Sequence, residues 1–128
     1  MNNEKFILIA EDDELNYQIL KGFLRKYNIT IIWTKNGWDT FVYCIKKNIH
    51  LVLMDIKMPI MDGLQATYLI KKHRPETIII AQTAYSMYGD KEMCLEAGCD
   101  DYISKPIDFK LLSQKLDKYI LAQKVSYK

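Results

Sequence analysis

A carboxylate ends one of the apolar runs of this chain. Residues 51–54 are four consecutive apolar residues rich in β-formers, which is typical of a strand buried on both faces, and Asp55 follows them directly. Because an unpaired buried carboxylate is costly, Asp55 needs water or a cation beside it. Taken alone, Asp55 could equally be an ordinary loop cap, so a functional interpretation requires partners delivered by other strands.

Polar side chains also end other strand-like runs. Two carboxylates, a hydroxyl and an ammonium share this position: Glu11 and Asp12 after the first run, Thr83 at the end of the fourth and Lys105 after the fifth. Each has a simple explanation alone, as an acidic helix start, a strand-end hydroxyl or a lysine reaching solvent. In an open parallel sheet, however, ligands bind beyond the carboxyl ends of the strands, where all of these residues are expected to converge.

This combination indicates phosphoryl chemistry assisted by magnesium. Three carboxylates repel one another unless a cation lies among them, and oxygen ligands with room for water suit Mg²⁺. No segment has the ligand spacing of a calcium-binding loop. With the metal in place, Asp55 could act as a nucleophile and form an acyl phosphate. Lys105 would neutralise the phosphoryl oxygens, and Thr83 would hydrogen-bond to the attached group.

Alternating strand and helix patterns predict the elements that position these residues. Five strand-like runs alternate with five segments of helical spacing, which predicts an α/β fold with a parallel sheet covered on both faces. We expect a flavodoxin-like (βα)5 doubly wound sheet with strand order 2-1-3-4-5. The first helix has an apolar stripe that includes Leu15 and Ile19, the second stops near Asn48, and the fourth covers 91–96 and ends at Gly98.

Composition bounds the size and the partners of the chain. With 128 residues and 49% hydrophobic content, it corresponds to a single domain, 1–128, with a core over about 6–122 and a tail over 123–128. A net charge of +2 argues against nucleic acid or an anionic membrane as the partner, and no apolar run is long enough to span a bilayer. The three cysteines have no zinc-type spacing, so we interpret them as reduced packing thiols, with redox sensing as a lesser alternative.

Four segments resemble the receiver domains of two-component response regulators. They are residues 9–12 with the acidic pair, residues 54–63 around Asp55, residues 83–84, and residues 97–106, which end in Lys105-Pro106. The resemblance covers about residues 6–122. The chain is similar in particular to the receivers of hybrid histidine kinases, in which a glutamate at the position of Glu11 is common. It implies phosphorelay signalling, with a phosphoryl group received from a phosphohistidine on a histidine kinase or a histidine phosphotransfer protein.

The resemblance also implies roles for individual residues. Asp55 would be the phosphoacceptor, and Mg²⁺, or Mn²⁺ in its place, would be held by Glu11, Asp12, Asp55 and the backbone carbonyl of Lys57. Thr83 and Tyr102 would form a switch couple. Lys105 would pair with the phosphoryl oxygens, and the Lys105–Pro106 peptide bond would be cis.

Phosphorylation is expected to change the face formed by the fourth helix, the fifth strand and the last helix. That face would carry the readout and a homodimer contact, and it includes Lys91, Asp100, Asp101, Tyr102 and Lys110. The resemblance places the domain in the cytoplasm, either as a stand-alone receiver or as a piece of a larger regulator or of a membrane-bound hybrid kinase. No turnover beyond self-phosphorylation and autodephosphorylation is expected, unless the chain belongs to such a kinase. Tyr85, two residues after Thr83, could shield the phosphoryl group from water.

Two other classes remain as alternatives. A magnesium phosphohydrolase of the haloacid-dehalogenase type would carry a second aspartate two residues after the nucleophile, where this chain has Lys57, and would need a cap. A flavodoxin-like FMN carrier would need a first loop rich in serine, threonine and glycine rather than an acidic one. Turnover of a phosphate ester would identify the former, and a coloured protein the latter.

Overall fold

The computed structural model describes residues 5–84 and 89–125, which form five strands and five helices. In chain order the elements are β1 (Phe6–Ala10), α1 (Glu14–Leu24), β2 (Thr30–Thr34), α2 (Gly37–Lys46), β3 (Leu51–Asp55), α3 (Gly63–His73), β4 (Ile78–Thr83), α4 (Asp90–Ala97), β5 (Asp101–Ser104) and α5 (Phe109–Val125). Tyr85 and residues 126–128 of the expected tail lie outside the described residues.

The strands form one parallel sheet in the order β2-β1-β3-β4-β5, which confirms the predicted topology. The pairing keeps the strand ends level. Asp55 lies beside Gln82, and Thr83 lies beside Ser104. Because all strands run in the same direction, the carboxyl ends of β1, β3, β4 and β5 share one edge of the sheet.

Successive side chains of each strand point to opposite faces of the sheet. On one face Leu8, Val52 and Ile79 pack with α2, α3 and α4, and on the other Ile9 and Leu53 pack with α1 and α5. Both faces are therefore buried, which explains why the strands are continuous apolar runs rather than alternating ones.

Helix starts and stops follow local side-chain chemistry. Asp13, Asn36 and Asp62 precede α1, α2 and α3, and each accepts a hydrogen bond from a backbone N–H of the first turn at 2.7–2.9 Å. Gly98 ends α4 with a φ of 112°, which confirms the predicted left-handed cap. These caps fix where each loop at the carboxyl edge gives way to a helix.

The apolar stripe expected for the first helix is wrong in part. Leu15 and Ile19 are 67% and 47% exposed, whereas Tyr17, Leu20 and Leu24 form the buried face. Helical spacing finds an apolar stripe but does not say which side of the helix packs on the sheet.

Two helix boundaries also differ from those expected. The second helix ends at Lys46 rather than near Asn48, and the fourth begins at Asp90 rather than Lys91.

All three cysteines are free and buried, in agreement with their expected packing role. None of the helices in the described ranges combines the length and the apolar character that crossing a membrane requires.

Candidate functional site

Asp55 and Lys105 form an ion pair at the carboxyl edge of the sheet. Asp55 is the last residue of β3 and is only 6% exposed. The backbone N–H of Lys105 donates to the carbonyl of Thr83 at 2.8 Å, which continues the β4–β5 pairing past the strand end. Lys105 Nζ consequently lies 3.2 Å from Asp55 Oδ1. The Lys105–Pro106 peptide bond is cis, as expected.

Glu11 is the buried member of the acidic pair that follows β1. It is 1% exposed, and Lys105 Nζ lies 3.4 Å from its Oε1. Its backbone is fixed on two sides, because its N–H donates to the Thr34 carbonyl at 3.0 Å and its own carbonyl accepts from the Trp33 indole N–H at 2.8 Å. Trp33 in turn stacks on Tyr17, with ring centroids 3.9 Å apart.

The three predicted carboxylates come together as one cluster. One oxygen from each of Glu11, Asp12 and Asp55 lies within 4.8 Å of the others, and Asp12 is the exposed member. An all-oxygen set that is open to water on one side fits Mg²⁺, which takes few carboxylates and retains several waters. Both buried members pair with the Lys105 ammonium, and a divalent cation would add the further positive charge that a cluster of three carboxylates attracts.

The ionisation of Glu11 and Lys105 reflects this charge balance. Burial, and secondarily the charge of Asp55, raise the pKa of Glu11 to about 7. Burial alone would lower the pKa of Lys105, but the attraction of Asp55 and Glu11 outweighs it, so this pKa is raised. Lys105 is therefore a permanent cation at neutral pH, while Glu11 carries a proton part of the time unless another cation binds.

Thr83 has a neighbour that the sequence analysis missed. The Thr83 hydroxyl donates to Asp90 Oδ2 at 3.2 Å, and Asp90 is the first residue of α4. Thr83 is 5% exposed, so this contact joins the end of β4 to the start of α4 within a partly buried site. Acidic residues are favoured in the first turn of a helix, so Asp90 after Gly89 could have indicated the start of α4. The predicted fourth helix began at residue 91 and therefore left Asp90 outside it.

A cavity of about 310 Å³ opens in front of Asp55. Its polar wall consists of Asp55, Lys57, Thr83, Asp90 and Lys105, and its apolar wall includes Leu64, Met93 and Cys94. Ala84 lines it as well, and this small side chain leaves room beside Thr83. The cavity holds a nucleophilic carboxylate, a cation and a hydroxyl, which is the set needed to receive a tetrahedral anion.

Two glycines hold the loop between Asp55 and α3 against the sheet. A Cβ at Gly63 would collide with the backbone carbonyl of Asp55, and one at Gly37 would collide with the carbonyl of Met61. The N–H groups of these glycines donate to the carbonyls of Ile56 and Met61, both at 2.8 Å. Gly63 belongs to the motif around Asp55, whereas the need for a glycine at residue 37 arises only from tertiary packing against the loop.

The remaining predicted residues lie around the cavity or away from it. Tyr102 is half-buried at the sheet edge against α4, and Lys91 Nζ lies 5.7 Å from its ring centroid. Asp100 accepts from Lys71 Nζ and from the Ile79 N–H at 2.7 and 2.8 Å, which makes it a bridge between α3 and β4.

Comparison with known proteins places the chain in a family. The model of the response regulator receiver domain matches residues 7–117. Hybrid signal transduction histidine kinase M of Dictyostelium discoideum is 40% identical over 122 residues, which are 89% of this chain and 5% of that protein. The chain spans only 3% and 7% of two further hybrid kinases of this organism. The polar-differentiation response regulator DivK of Brucella anthropi is 33% identical, with 91% of this chain and 96% of DivK matched.

Solved structures agree with this result. A chain in the co-crystal structure of the Saccharomyces cerevisiae histidine phosphotransfer protein Ypd1 and the receiver domain of Ssk1 superposes with a TM-score of 0.86 at 31% identity, covering 94% of this chain and 91% of that one. The receiver domain of a Pseudomonas aeruginosa sensor histidine kinase, solved with magnesium in its active site cleft, gives 0.84 at 30%, covering 91% and 98%. Because the family model spans most of the chain and DivK is matched over nearly its whole length, this chain belongs to the receiver domains of response regulators, the phosphoacceptor domains of two-component phosphorelays.

Proposed function

We propose that Asp55 accepts a phosphoryl group from a phosphohistidine of a histidine kinase or a histidine phosphotransfer protein. The observation that carries this assignment is that Asp55 belongs to two parts of the site. Among the carboxylates of the described residues, Asp55 alone belongs both to the acidic cluster and to the lining of the 310 Å³ cavity. It can thus contact a bound cation and an incoming phosphoryl group at once.

The chemical step is a displacement at phosphorus. A carboxylate oxygen of Asp55 forms a bond to phosphorus while the phosphorus–nitrogen bond of the donor breaks, and the imidazole leaves with the electron pair. Lys105, already 3.2 Å from Asp55, neutralises charge on the transferred oxygens. The product is an acyl phosphate on Asp55.

Glu11, Asp12, Asp55 and the backbone carbonyl of Lys57 are the residues proposed to hold Mg²⁺, with Mn²⁺ as a substitute. When bound, the metal supplies positive charge to the phosphoryl oxygens. Support comes from the clustered oxygens and from the raised pKa of Glu11, since burial first and the charge of Asp55 second disfavour its ionised form and a bound cation would favour it.

The switch is proposed to act through Thr83. A phosphoryl group adds roughly −1.5 to −2 charge to the cavity and offers strong acceptors, so the Thr83 hydroxyl would turn from Asp90 towards it. The start of α4 would lose a tether, and Tyr102 would repack at the sheet edge. The face of α4, β5 and α5 would then carry the readout and a homodimer contact.

Exposed apolar side chains on α1 and in the loop after β3 support docking of the donor. Leu15 and Ile19 of α1 are well exposed, and Ile60, in the loop after β3, is 82% exposed with a φ of 71°. A second cavity, of about 200 Å³, lies between α1 and the loop before α5 and is lined by Ile19 and Phe109 among others. Exposed apolar side chains grouped around a reaction site are expected for a protein partner.

We further propose that the chain forms one domain, 1–128, and acts in the cytoplasm. Three free buried thiols are typical of a reducing compartment. The receiver would serve alone, as the match to DivK allows, or inside a hybrid kinase, as the Dictyostelium relatives allow.

Acetyl phosphate with Mg²⁺, followed by intact-mass measurement, tests the assignment of Asp55. The wild type is expected to gain the mass of one phosphoryl group, and Asp55→Asn none. Asp13→Asn is the matched control, since asparagine still caps α1 and the residue lies outside the acidic cluster. Equal labelling of Asp55→Asn and the wild type would refute the proposal.

A further inference from the structure

The last turn of α4 holds two cysteines against each other. Gly98 takes the left-handed conformation, the Cys99 N–H donates to the Cys94 carbonyl at 3.0 Å, and the Gly98 N–H donates to the Leu95 carbonyl at 3.0 Å. These are the two hydrogen bonds of a Schellman motif, in which the residue four positions before the glycine contacts the residue just after it. Here, that pair is Cys94 and Cys99.

The side chains of this pair belong to one buried cluster. Both lie in the core between the sheet and α2, α3 and α4, and the Cys99 thiol is 3.7 Å from the Thr67 hydroxyl. Their backbone is already locked by the motif, so little conformational entropy remains to be lost when the sulfurs join. We propose that Cys94 and Cys99 form a peroxide-sensitive dithiol that closes to an intramolecular disulfide at the end of α4.

Access to the pair runs through the reaction cavity. Cys94 is only 2% exposed, yet it lines the same cavity as Asp55 and Thr83, and this cavity is the route by which we expect a molecule as small as hydrogen peroxide to approach it. Cys99 is 6% exposed and lines neither this cavity nor the second one beside α1. This arrangement makes Cys94 the residue that reacts first and Cys99 the resolving residue.

The ionisation of the two thiols agrees with this order. The hydrogen bond from Cys99 lowers the pKa of Cys94, whereas the same contact and burial raise the pKa of Cys99. Thiolate character favours oxidation, so the cysteine that lines the cavity also carries the more reactive thiol.

The reaction balances with hydrogen peroxide as the oxidant. The Cys94 sulfur attacks one peroxide oxygen, the oxygen–oxygen bond breaks, and a sulfenic acid and water form. The Cys99 sulfur then attacks the Cys94 sulfur, and the hydroxyl leaves with the Cys99 proton as a second water. Two thiols are oxidised to one disulfide and one peroxide is reduced to two waters.

The disulfide would fix the C-terminal end of α4, which is the end opposite the one that contacts Thr83. Asp90 at the start of α4 accepts from Thr83, and the disulfide would fix the last turn to the segment entering β5. Its effect on signalling rests on the proposed function, because the same helix is expected to shift on phosphorylation. Disulfide formation itself does not depend on that function.

Cys44 supplies an internal control. It is fully buried in α2, and burial raises its pKa to about 12. It lines none of the cavities described above, so it is expected to stay reduced under peroxide.

The test treats the full chain with hydrogen peroxide, blocks remaining thiols and measures the tryptic peptide 92–110, which contains both cysteines and excludes Cys44. Wild type and Cys44→Ser are expected to lose the mass of two hydrogens in this peptide, reversibly with a reductant. Cys99→Ser should stop at a sulfenic acid that a dimedone probe captures on Cys94, and Cys94→Ser should remain unmodified. Acetyl phosphate labelling of the oxidised protein is a separate readout that reports on the proposed function.

Three results would overturn the proposal: peptide 92–110 stays reduced in the wild type, the disulfide joins two chains, or Cys99 is captured in Cys94→Ser as readily as Cys94 is in Cys99→Ser. Because all of these are seen in the mass spectrum, a failure of Asp55 to accept phosphate would not affect them.

Discussion

The ammonium nitrogen of Lys105 lies 3.2 Å from Oδ1 of Asp55, and the peptide N–H of the same lysine is bonded to Thr83. One residue thus links the end of β5 to the ends of β3 and β4. Since Lys105 Nζ also lies 3.4 Å from Glu11, its position is set by two carboxylates rather than by one. A cation held in this way is already placed before any phosphoryl group arrives.

Replacing Lys105 with alanine is expected to slow acyl-phosphate formation by about a hundredfold, the usual scale for losing one aimed electrostatic contact. Arginine should recover part of the rate, because it keeps the charge but not the geometry. The measurement is the rate of mass gain with acetyl phosphate. Lys115→Ala is the matched control, because it breaks a 2.7 Å ion pair to Asp101 of similar burial away from the cavity. Equal slowing in both variants would show that the effect is structural.

Without a divalent cation, the free energy of unfolding is expected to fall as pH rises from about 5 to 8. The pKa of Glu11 is about 7 in the folded protein, whereas its ordinary value, which applies to the unfolded chain, is 4.5. Between these pH values the folded state binds more protons than the unfolded state, so the free energy of unfolding falls as Glu11 loses its proton. The loss is at most on the order of 3 kcal/mol. Lys105 does not contribute, because its raised pKa lies far above this window.

Denaturant titrations in EDTA at several pH values measure this slope, with Glu11→Gln as the control. The lowered pKa of His50 acts in the opposite direction near its ordinary value of 6.5, but it is present in both proteins, so their difference isolates Glu11. Saturating Mg²⁺ should remove the fall in the wild type. A wild type that gains stability from pH 5 to 8 relative to Glu11→Gln would contradict the prediction.

The fold followed from the sequence because both faces of the sheet are buried. Runs such as residues 51–54 are apolar without a break, and only a parallel sheet with two helical layers buries such strands. Once the topology was fixed, the convergence of Asp55, Glu11 and Lys105 followed from chain direction alone.

The features that the sequence did not reveal depend on packing between distant segments. The contact of Thr83 with Asp90 requires the first turn of α4 to lie over the end of β4, and no local pattern sets that position. The exposure of Leu15 and Ile19 depends on which stripe of α1 meets the sheet. The meeting of Cys94 with Cys99 was readable in principle, because a glycine cap between them predicts the contact.

Asp90→Ala is expected to imitate part of the change caused by phosphorylation. Without Asp90 Oδ2, the Thr83 hydroxyl loses this hydrogen bond to the first turn of α4, and amide chemical shifts over Asp90–Ala97 and around Tyr102 should move in the direction produced by a beryllium fluoride mimic. Glu92→Ala is the control, since it removes an exposed charge from the same turn. Shifts of equal size in both variants would indicate a general effect on the helix.

Gly63→Ala is expected to destabilise the protein by about 2 kcal/mol or more and to slow phosphorylation of Asp55. An alanine Cβ there would overlap the backbone carbonyl of Asp55, so the strand end that carries the acceptor must move. Gly22→Ala is the opposite control, because its Cβ would meet nothing within 4 Å in the interior of α1. That substitution should stabilise by roughly 0.5–1 kcal/mol and leave the phosphorylation rate unchanged. Denaturant midpoints and mass-gain rates for the pair separate a specific clash from a general effect of alanine, and a Gly63→Ala variant as stable and reactive as the wild type would mean that the loop yields without moving Asp55.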